Sequence, residues 1–192
     1  HADDIGLRAL RHLSQDYLLA ANPAAYLDAA HSLYERADSL TDRLAALRWI
    51  THYEAVEKRE AVLADFYSRW QHEALVVNQW LTVQATRPDV DCVESVRALM
   101  THPTFDWRNP NKLRALIGAF AGANPIAFHR EDGAGYWLMG EVIERLQASN
   151  PQIAARMLAP MTRWRRYAVG QEAMRSELER LAAIDPLPKD VF

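Results

Sequence analysis

The sequence predicts an all-α fold, and three observations lead to that prediction. Apolar residues recur every three or four positions along most of the 192 residues, a spacing typical of amphipathic helices. The chain has no alternating, β-branched segment of any length, so we expect essentially no sheet. Asn-Pro pairs, in which asparagine suits the helix cap and proline the first helical residue, occur at Asn22, Asn109, Asn124 and Asn150.

The helices can be placed in order from these signals. A first helix carries the apolar residues that we place on one stripe, Ile5, Leu10, Leu13, Tyr17 and Leu18. A second begins at Asn22-Pro23, and either Ser39 or Thr41 caps the third. The remaining predicted elements are helices over 55–71, 74–86 and 90–100, a loop over 101–108, a helix from Asn109-Pro110, a short turn from Asn124-Pro125, and helices over 135–147, from Asn150-Pro151 and over 170–184.

About ten helices with short connections can form either a bundle or a solenoid of stacked antiparallel pairs. The helices that begin at Asn109-Pro110 and Asn150-Pro151 start 41 residues apart, inside the roughly 40–47 residue period of HEAT and armadillo repeats. This spacing favours the solenoid. Since no linker or low-complexity segment divides the chain, we predict one superhelical domain of helix pairs over residues 1–192.

Composition and charge exclude several functional classes. With 49% apolar residues, 24% charged residues and a net charge of −3, the chain is globular and too weakly charged for electrostatic binding to nucleic acid or an anionic membrane. No apolar run approaches the roughly 18 residues of a membrane span, and we recognise no signal peptide. The single cysteine, Cys92, fits a reducing compartment, so we expect a cytoplasmic protein.

The sequence offers no self-contained catalytic apparatus that we can identify. A zinc hydrolase helix would read His-Glu-x-x-His, but His72-Glu73 is followed by Ala-Leu-Val and lacks the second ligand. His129, Glu131 and Asp132 cluster within four residues and could bind a metal from a loop, although a solvated turn is the better interpretation. We therefore predict no catalytic residue and no metal ligand in this chain.

Aromatic and basic side chains invite a functional reading as well. Six tryptophans could stack on a ligand, but core packing is the default for all of them: Trp49, Trp70, Trp80, Trp107, Trp137 and Trp164. The run of Arg163, Arg165 and Arg166 could bind an anion, although a charge run is usually a solvated face. Neither group predicts a ligand by itself.

Arg114 and Arg156 differ from the other arginines because each lies about one turn inside a helix that begins Asn-Pro. Gln152 is four residues from Arg156 and shares its face. Free N–H groups at these helix starts, with a guanidinium nearby, suit a carboxylate or a peptide carbonyl. If both helices are equivalent members of adjacent repeats, both starts open at the same rim. Because most arginines are simply surface residues, these observations alone favour a structural role.

Several uncommon strings resemble the C-terminal domain of the bacterial aminopeptidase N family, the alanyl aminopeptidase type. The resemblance extends from about residue 36 to residue 192, and more loosely before that. The matching strings, in chain order, are LTDRLAAL, LADFYSRW, LVVNQWLTVQA, HPTFDWRNPNKLRALIGAF, ANPIAFHREDGAGY, NPQIAARM, RWRRY and MRSELERL. Their specificity is high because they recur in one order.

The resemblance implies a role that the residues alone do not establish. The family consists of zinc metallopeptidases that remove one residue from the N-terminus of peptides, and their zinc ligands lie in upstream domains. The resemblance implies that this segment is a helical domain that closes over the catalytic domain and walls a large cavity. It further implies that Arg114, Gln152 and Arg156 face the peptide beyond its first residue.

We therefore expect a non-catalytic domain, a fragment of a larger enzyme, whose partners are its own catalytic domain and a peptide substrate. We expect no cofactor in this chain, and zinc in the catalytic domain of the parent enzyme. The alternative is a free-standing helical-repeat scaffold that binds a partner protein along its concave face. An upstream His-Glu-x-x-His in the reading frame would favour the first hypothesis.

Overall fold

The structure is a computed structural model that describes residues 2–184. Within that range the backbone forms helices, turns and loops and contains no strand, so the prediction of an all-α fold is confirmed. The α-helices are α1 Ala2–Ala21, α2 Pro23–Arg36, α3 Leu40–Tyr53, α4 Val56–Trp70, α5 Ala74–Ala85, α6 Cys92–Leu99, α7 Pro110–Leu113, α8 Ala119–Ala123, α9 Pro125–Phe128, α10 Ala134–Gln147, α11 Pro151–Leu158 and α12 Gln171–Ala182, with a π-helical segment at Arg114–Gly118 and a 3-10 helix at Met161–Arg166.

The contacts divide the chain into two compact units, one up to Val83 and one from Gln84 onward. In the first unit each helix packs on the next, α1 on α2, α2 on α3 and α3 on α4. This nearest-neighbour packing is typical of stacked helical repeats. The second unit is centred on α10, which packs against α6, α9, α11 and α12. A single domain over residues 1–192 remains a prediction.

Asparagine caps fix the helix starts of the second unit. The side-chain oxygen of Asn109 accepts a hydrogen bond from the backbone N–H of Asn111 at 2.9 Å. Asn150 accepts from Ile153 at 3.2 Å, and Asn124 accepts from Ala127 at 3.1 Å. These bonds satisfy N–H groups that a helix start leaves free. The predicted helix starts at Asn109 and Asn150 are therefore confirmed, whereas Asn124, where we predicted a short turn, begins the four-residue helix α9.

In the first unit, the structure decides which residue caps α3 and shows that the apolar stripe of α1 is not buried. Ser39, and not Thr41, is the residue before α3, and its side chain accepts from the N–H of Asp42 at 3.1 Å. Asn22 stands before α2 but makes no side-chain cap bond. The predicted apolar stripe of α1 faces water, with Tyr17 72% exposed. The cores of both units therefore form without that stripe.

Tryptophan positions only partly match the expectation of core packing. Trp49 and Trp80 are buried, but Trp137 is 54% exposed, so the core assignment is wrong for that residue. The reason is its position on α10. Trp137 shares a stripe with the exposed residues Glu141 and Arg145, opposite the residues that α10 buries.

Among the residues that the structure describes, no helix is both long and apolar enough to span a membrane.

Candidate functional site

Arg114 lies where a regular helix changes its hydrogen-bonding pattern. It is exposed, and it is the first residue of the π-helical segment that continues α7. Its guanidinium donates to the side-chain oxygen of Asn111. Short π-helical insertions are rare and are found frequently at functional sites. The structure therefore places Arg114 on an accessible surface with only a neutral partner.

Gln152 and Arg156 lie on the exposed side of α11. Within residues 2–184, neither side chain has a hydrogen-bond or ion-pair partner in the structure. Asn150, which caps α11, occupies the helix start with its own oxygen. The polar ends of Gln152 and Arg156 are therefore available to an external ligand, as the sequence argument requires.

Gly118 is the last residue of the π-helical segment that Arg114 begins. A Cβ atom added to Gly118 would lie 3.8 Å from Cε of Met157. Met157 is buried and directly follows Arg156 in α11. The end of the Met157 side chain therefore lies close to the last residue of the π-helical segment.

Lys112 adds a cation that the sequence analysis did not single out. It is only 7% exposed, and burial lowers the pKa of its ammonium group because a low-dielectric environment disfavours the charged form. Its charge in turn contributes, after burial, to the lowered pKa of His102. No carboxylate of the described residues forms an ion pair with it. Groups with shifted pKa values are concentrated at functional sites but also occur at structural positions.

The arginines of the second unit fall into two groups by their partners. Those in one group bind a carboxylate: Arg87, Arg97, Arg108, Arg130, Arg175 and Arg180. The arginines of the other group, including Arg114 and Arg156, have no such partner in the described range. This second group is concentrated in the stretch 148–170, which contains no aspartate or glutamate. The result is a local excess of positive charge in a chain whose net charge is −3.

A surface cleft of about 570 Å³ is lined by the loop before α7 and by Arg145 of α10. Its floor includes Trp107, whose ring packs edge-on against Phe105 at 5.2 Å. The guanidinium of Arg145 lies 4.1 Å from the centre of the Trp107 ring, a cation–π arrangement. Sequence reasoning missed this pair because Trp107 and Arg145 are distant in the chain and no spacing links them.

The side chains of His129, Glu131 and Asp132 do not converge on a common metal-binding position. The ring of His129 is hydrogen-bonded to the hydroxyl of Tyr136 at 2.9 Å. Asp132 binds Arg130 at 2.7 Å, and this hydrogen bond lowers the pKa of its carboxyl to about 2. Among the described residues, no group of three or more His, Cys, Asp or Glu side chains is placed to hold a metal ion. The solvated turn is therefore the better interpretation.

Cys92 is buried, and its thiol donates to the carbonyl oxygen of Gln84 at 3.2 Å. Burial raises the pKa of the thiol to about 11. A nucleophilic cysteine needs the opposite shift. Cys92 is therefore a packing residue.

Comparison with known proteins identifies the class of this fold. The model of a family described as a domain of unknown function (DUF3458_C) with ARM repeats matches residues 1–192. Aminopeptidase N of Haemophilus influenzae is 44% identical over 190 residues, which cover 98% of this chain and 22% of the relative. Aminopeptidase N of Escherichia coli K12 is 37% identical over 191 residues, which cover 99% of this chain and 22% of the relative.

A solved structure gives the same result. The crystal structure of Legionella pneumophila aminopeptidase A in complex with aspartic acid matches with a TM-score of 0.88 and 33% sequence identity. The match covers 97% of this chain and 22% of that one. The fold is thus a helical repeat of the armadillo type, as predicted. The chain belongs to the DUF3458_C family, the C-terminal domain of aminopeptidase N-type proteins, and spans about a fifth of the length of these relatives.

Proposed function

We propose that this chain is the non-catalytic domain of a zinc-dependent aminopeptidase N, that it walls the active-site cavity and that it limits the access of peptides. In this function the domain contacts the peptide beyond its first residue, while a catalytic domain elsewhere in the full-length protein hydrolyses the N-terminal amide bond. The relatives named aminopeptidase N support this proposal, as does their greater length.

One observation carries the proposed role in peptide binding. Arg114 and Arg156 are exposed cations without a carboxylate partner in residues 2–184, although half of the arginines in the same unit have one. An unpaired guanidinium can donate several hydrogen bonds in a fixed geometry to a carbonyl or a carboxylate. These are the groups that a short peptide presents after its first residue.

Each side chain has a distinct part in this proposal. Arg156 and Arg114 hold backbone carbonyls or the terminal carboxylate of a short peptide. Gln152, four residues from Arg156 on the same face of α11, donates or accepts a hydrogen bond beside them. Binding energy from these remote contacts helps catalysis by holding the scissile bond in position.

The described residues do not fit the zinc ion that the family implies. They contain no group of three metal-ligating side chains, whereas a catalytic zinc is generally held by three protein ligands. We therefore assign the metal to the catalytic domain of the full-length protein and derive no step through it. A cytoplasmic location is also part of the proposal. The buried thiol of Cys92, which forms no disulfide, is compatible with it.

The proposed contact can be tested by substrate length. In the full-length enzyme, we expect Arg156→Ala to lower kcat/KM for trialanine by roughly ten- to a hundredfold, because a hydrogen bond to a charged group contributes about 1.5–3 kcal/mol. Hydrolysis of alanine p-nitroanilide, which has no residue beyond the first, should change little. Steady-state kinetics on both substrates measure the difference.

A matched control is available on the same unit. Arg108 is 91% exposed and already paired with Asp106, so Arg108→Ala should leave both substrates unaffected. An equal loss on trialanine and the anilide in Arg156→Ala would contradict the peptide-binding role. It would indicate a general effect on structure.

A further inference from the structure

Asn111 is the residue whose side chain holds Arg114. Its side-chain oxygen accepts a hydrogen bond from the guanidinium of Arg114, and both residues are exposed. The two residues are also joined at the main chain, because the N–H of Arg114 donates to the carbonyl oxygen of Asn111. A guanidinium has five N–H donors, so one contact leaves most of them available to a ligand.

The position of Asn111 is itself fixed by the start of the helix. Its backbone N–H donates to the side-chain oxygen of Asn109 at 2.9 Å. Pro110 lies between the two asparagines at the first helical position, where its ring fixes the backbone angle φ. The hydrogen bonds thus extend from the cap through Asn111 to the guanidinium of Arg114. A side chain that is already held in this way loses less freedom when it binds a ligand.

The neutral partner distinguishes Arg114 from the paired arginines of the second unit. Arg97 binds the carboxylate of Glu141, for example, and Arg180 binds that of Glu144. A carboxylate orients a guanidinium, but it also neutralises the charge and occupies donors that a ligand could use. The amide of Asn111 orients Arg114 without neutralising it.

The neighbouring sequence leaves the charge of Arg114 unopposed. Residues 107–130 contain no aspartate or glutamate. Lys112, which is buried, adds a second positive charge and forms no ion pair with the described residues. A guanidinium without a counter-ion attracts the negative oxygen atoms of a ligand more strongly than a neutralised one.

We propose that Asn111 is a positioning residue, which orients the guanidinium of Arg114 for the peptide and preserves its positive charge. This inference rests on the proposed function of Arg114 and adds a residue that acts through it. Two substitutions separate the two effects. Asn111→Ala removes the hydrogen bond and keeps the charge of Arg114, whereas Asn111→Asp keeps the contact and neutralises the charge.

Steady-state kinetics of the full-length enzyme on trialanine test the proposal. We expect Asn111→Asp to lower kcat/KM by roughly tenfold, because the new carboxylate opposes the charge of Arg114 at close range. Asn111→Ala should lower it by roughly threefold, since the freed arginine must be ordered when the peptide binds. Hydrolysis of alanine p-nitroanilide should be unchanged in both variants.

Thermal unfolding distinguishes positioning from a structural role. An acidic residue in the first turn of a helix is favourable, so Asn111→Asp should be at least as stable as the wild type while it hydrolyses trialanine more slowly. Asn22→Asp is the matched control. It adds the same charge at the start of α2, where Asn22 makes no side-chain cap bond, and should leave the hydrolysis of trialanine unchanged.

A double substitution shows whether Asn111 acts through Arg114. Once Arg114 is replaced by alanine, Asn111→Asp should have no further effect on trialanine. If Arg114→Ala slows the hydrolysis of trialanine but Asn111→Asp does not, or if Asn111→Asp acts equally without Arg114, the inference is wrong and the proposed function stands. If Arg114→Ala has no effect on trialanine, the proposed role of Arg114 fails and the inference fails with it.

Discussion

Helices α1 and α10 are both amphipathic, but they differ in what holds them. Eight residues of α10 are buried, and its two close contacts are made by glycines that let neighbouring elements approach. A Cβ atom on Gly135 would lie 2.3 Å from the carbonyl oxygen of Phe128. Helix α1 is held by hydrogen bonds of Asp16 and His12 and by the buried Leu19, and it leaves Leu7, Leu10 and Leu13 exposed. Most of the apolar side chains of α10 are thus buried, whereas most of those of α1 are exposed.

The difference shows where a substitution should change the stability of the domain and where it should not. Gly140 on α10 faces the buried carboxylate of Glu177, where an added Cβ would lie 1.6 Å from Oε1. That carboxylate is bound by Arg180 at 2.6 Å. Every group in this contact belongs to the described chain, so a substitution there acts on the stability of the domain itself. A substitution at an exposed residue of α1, such as Leu10, leaves the buried contacts of the domain in place.

The largest effect is expected for Gly135→Ala. The new methyl group would meet backbone atoms of Phe128 and Ala127 at 2.3–2.9 Å, and backbone cannot move aside as a flexible side chain can. Overpacking of this kind costs about 3 kcal/mol. We expect the free energy of unfolding to fall by roughly that amount, which urea denaturation followed by circular dichroism would measure.

Gly122→Ala is the matched control for that substitution. No atom lies within 4 Å of a Cβ placed on Gly122, which is part of α8. Because alanine favours a helix over glycine by up to about 1 kcal/mol, this variant should be as stable as the wild type or slightly more so. Equal destabilisation by both alanines would show that α10 is not packed as described.

A smaller effect is expected from pH, at the histidine that contacts α10. Burial lowers the pKa of His129, whose ring is bonded to Tyr136 and stacks on Tyr167 at 4.1 Å. The unfolded chain therefore takes up a proton at a higher pH than the folded chain, and the stability that His129 contributes above its usual pKa of about 6.5 is lost as the pH falls.

We expect the free energy of unfolding to decline modestly between pH 7.5 and pH 5.5, and the variant His129→Phe to decline less steeply. Urea denaturation at several pH values measures both slopes. If the slopes are the same, His129 is not shielded from protonation and its neighbours do not enclose it as the structure indicates.

Much of the fold could be predicted because its signals are local. Helix starts at Asn109 and Asn150 follow from a cap residue and a proline that act within one turn. Gly135 is visible in the sequence as well, but the backbone that approaches it is not. The structure supplies the missing partner, the carbonyl of Phe128.

What could not be predicted depends on which elements become neighbours. The periodicity of α1 predicts an apolar stripe but does not indicate that these side chains are exposed. Nothing in the sequence distinguishes Lys112, which is buried, from an ordinary surface lysine. The stacking of Arg145 on Trp107 joins an α10 residue to a loop almost forty residues earlier. The roles of Arg114, Gln152 and Arg156 remain predictions, supported by their exposure and their lack of carboxylate partners within residues 2–184.

Hydroxyl-radical footprinting of this chain would test the comparison of α1 with α10 most directly. Tyr17 of α1 is 72% exposed, whereas Tyr136 of α10 is fully buried. We expect Tyr17 and the exposed Trp137 to be oxidised readily and Tyr136 to be oxidised slowly. Equal rates of oxidation for Tyr17 and Tyr136 would contradict this account of the packing.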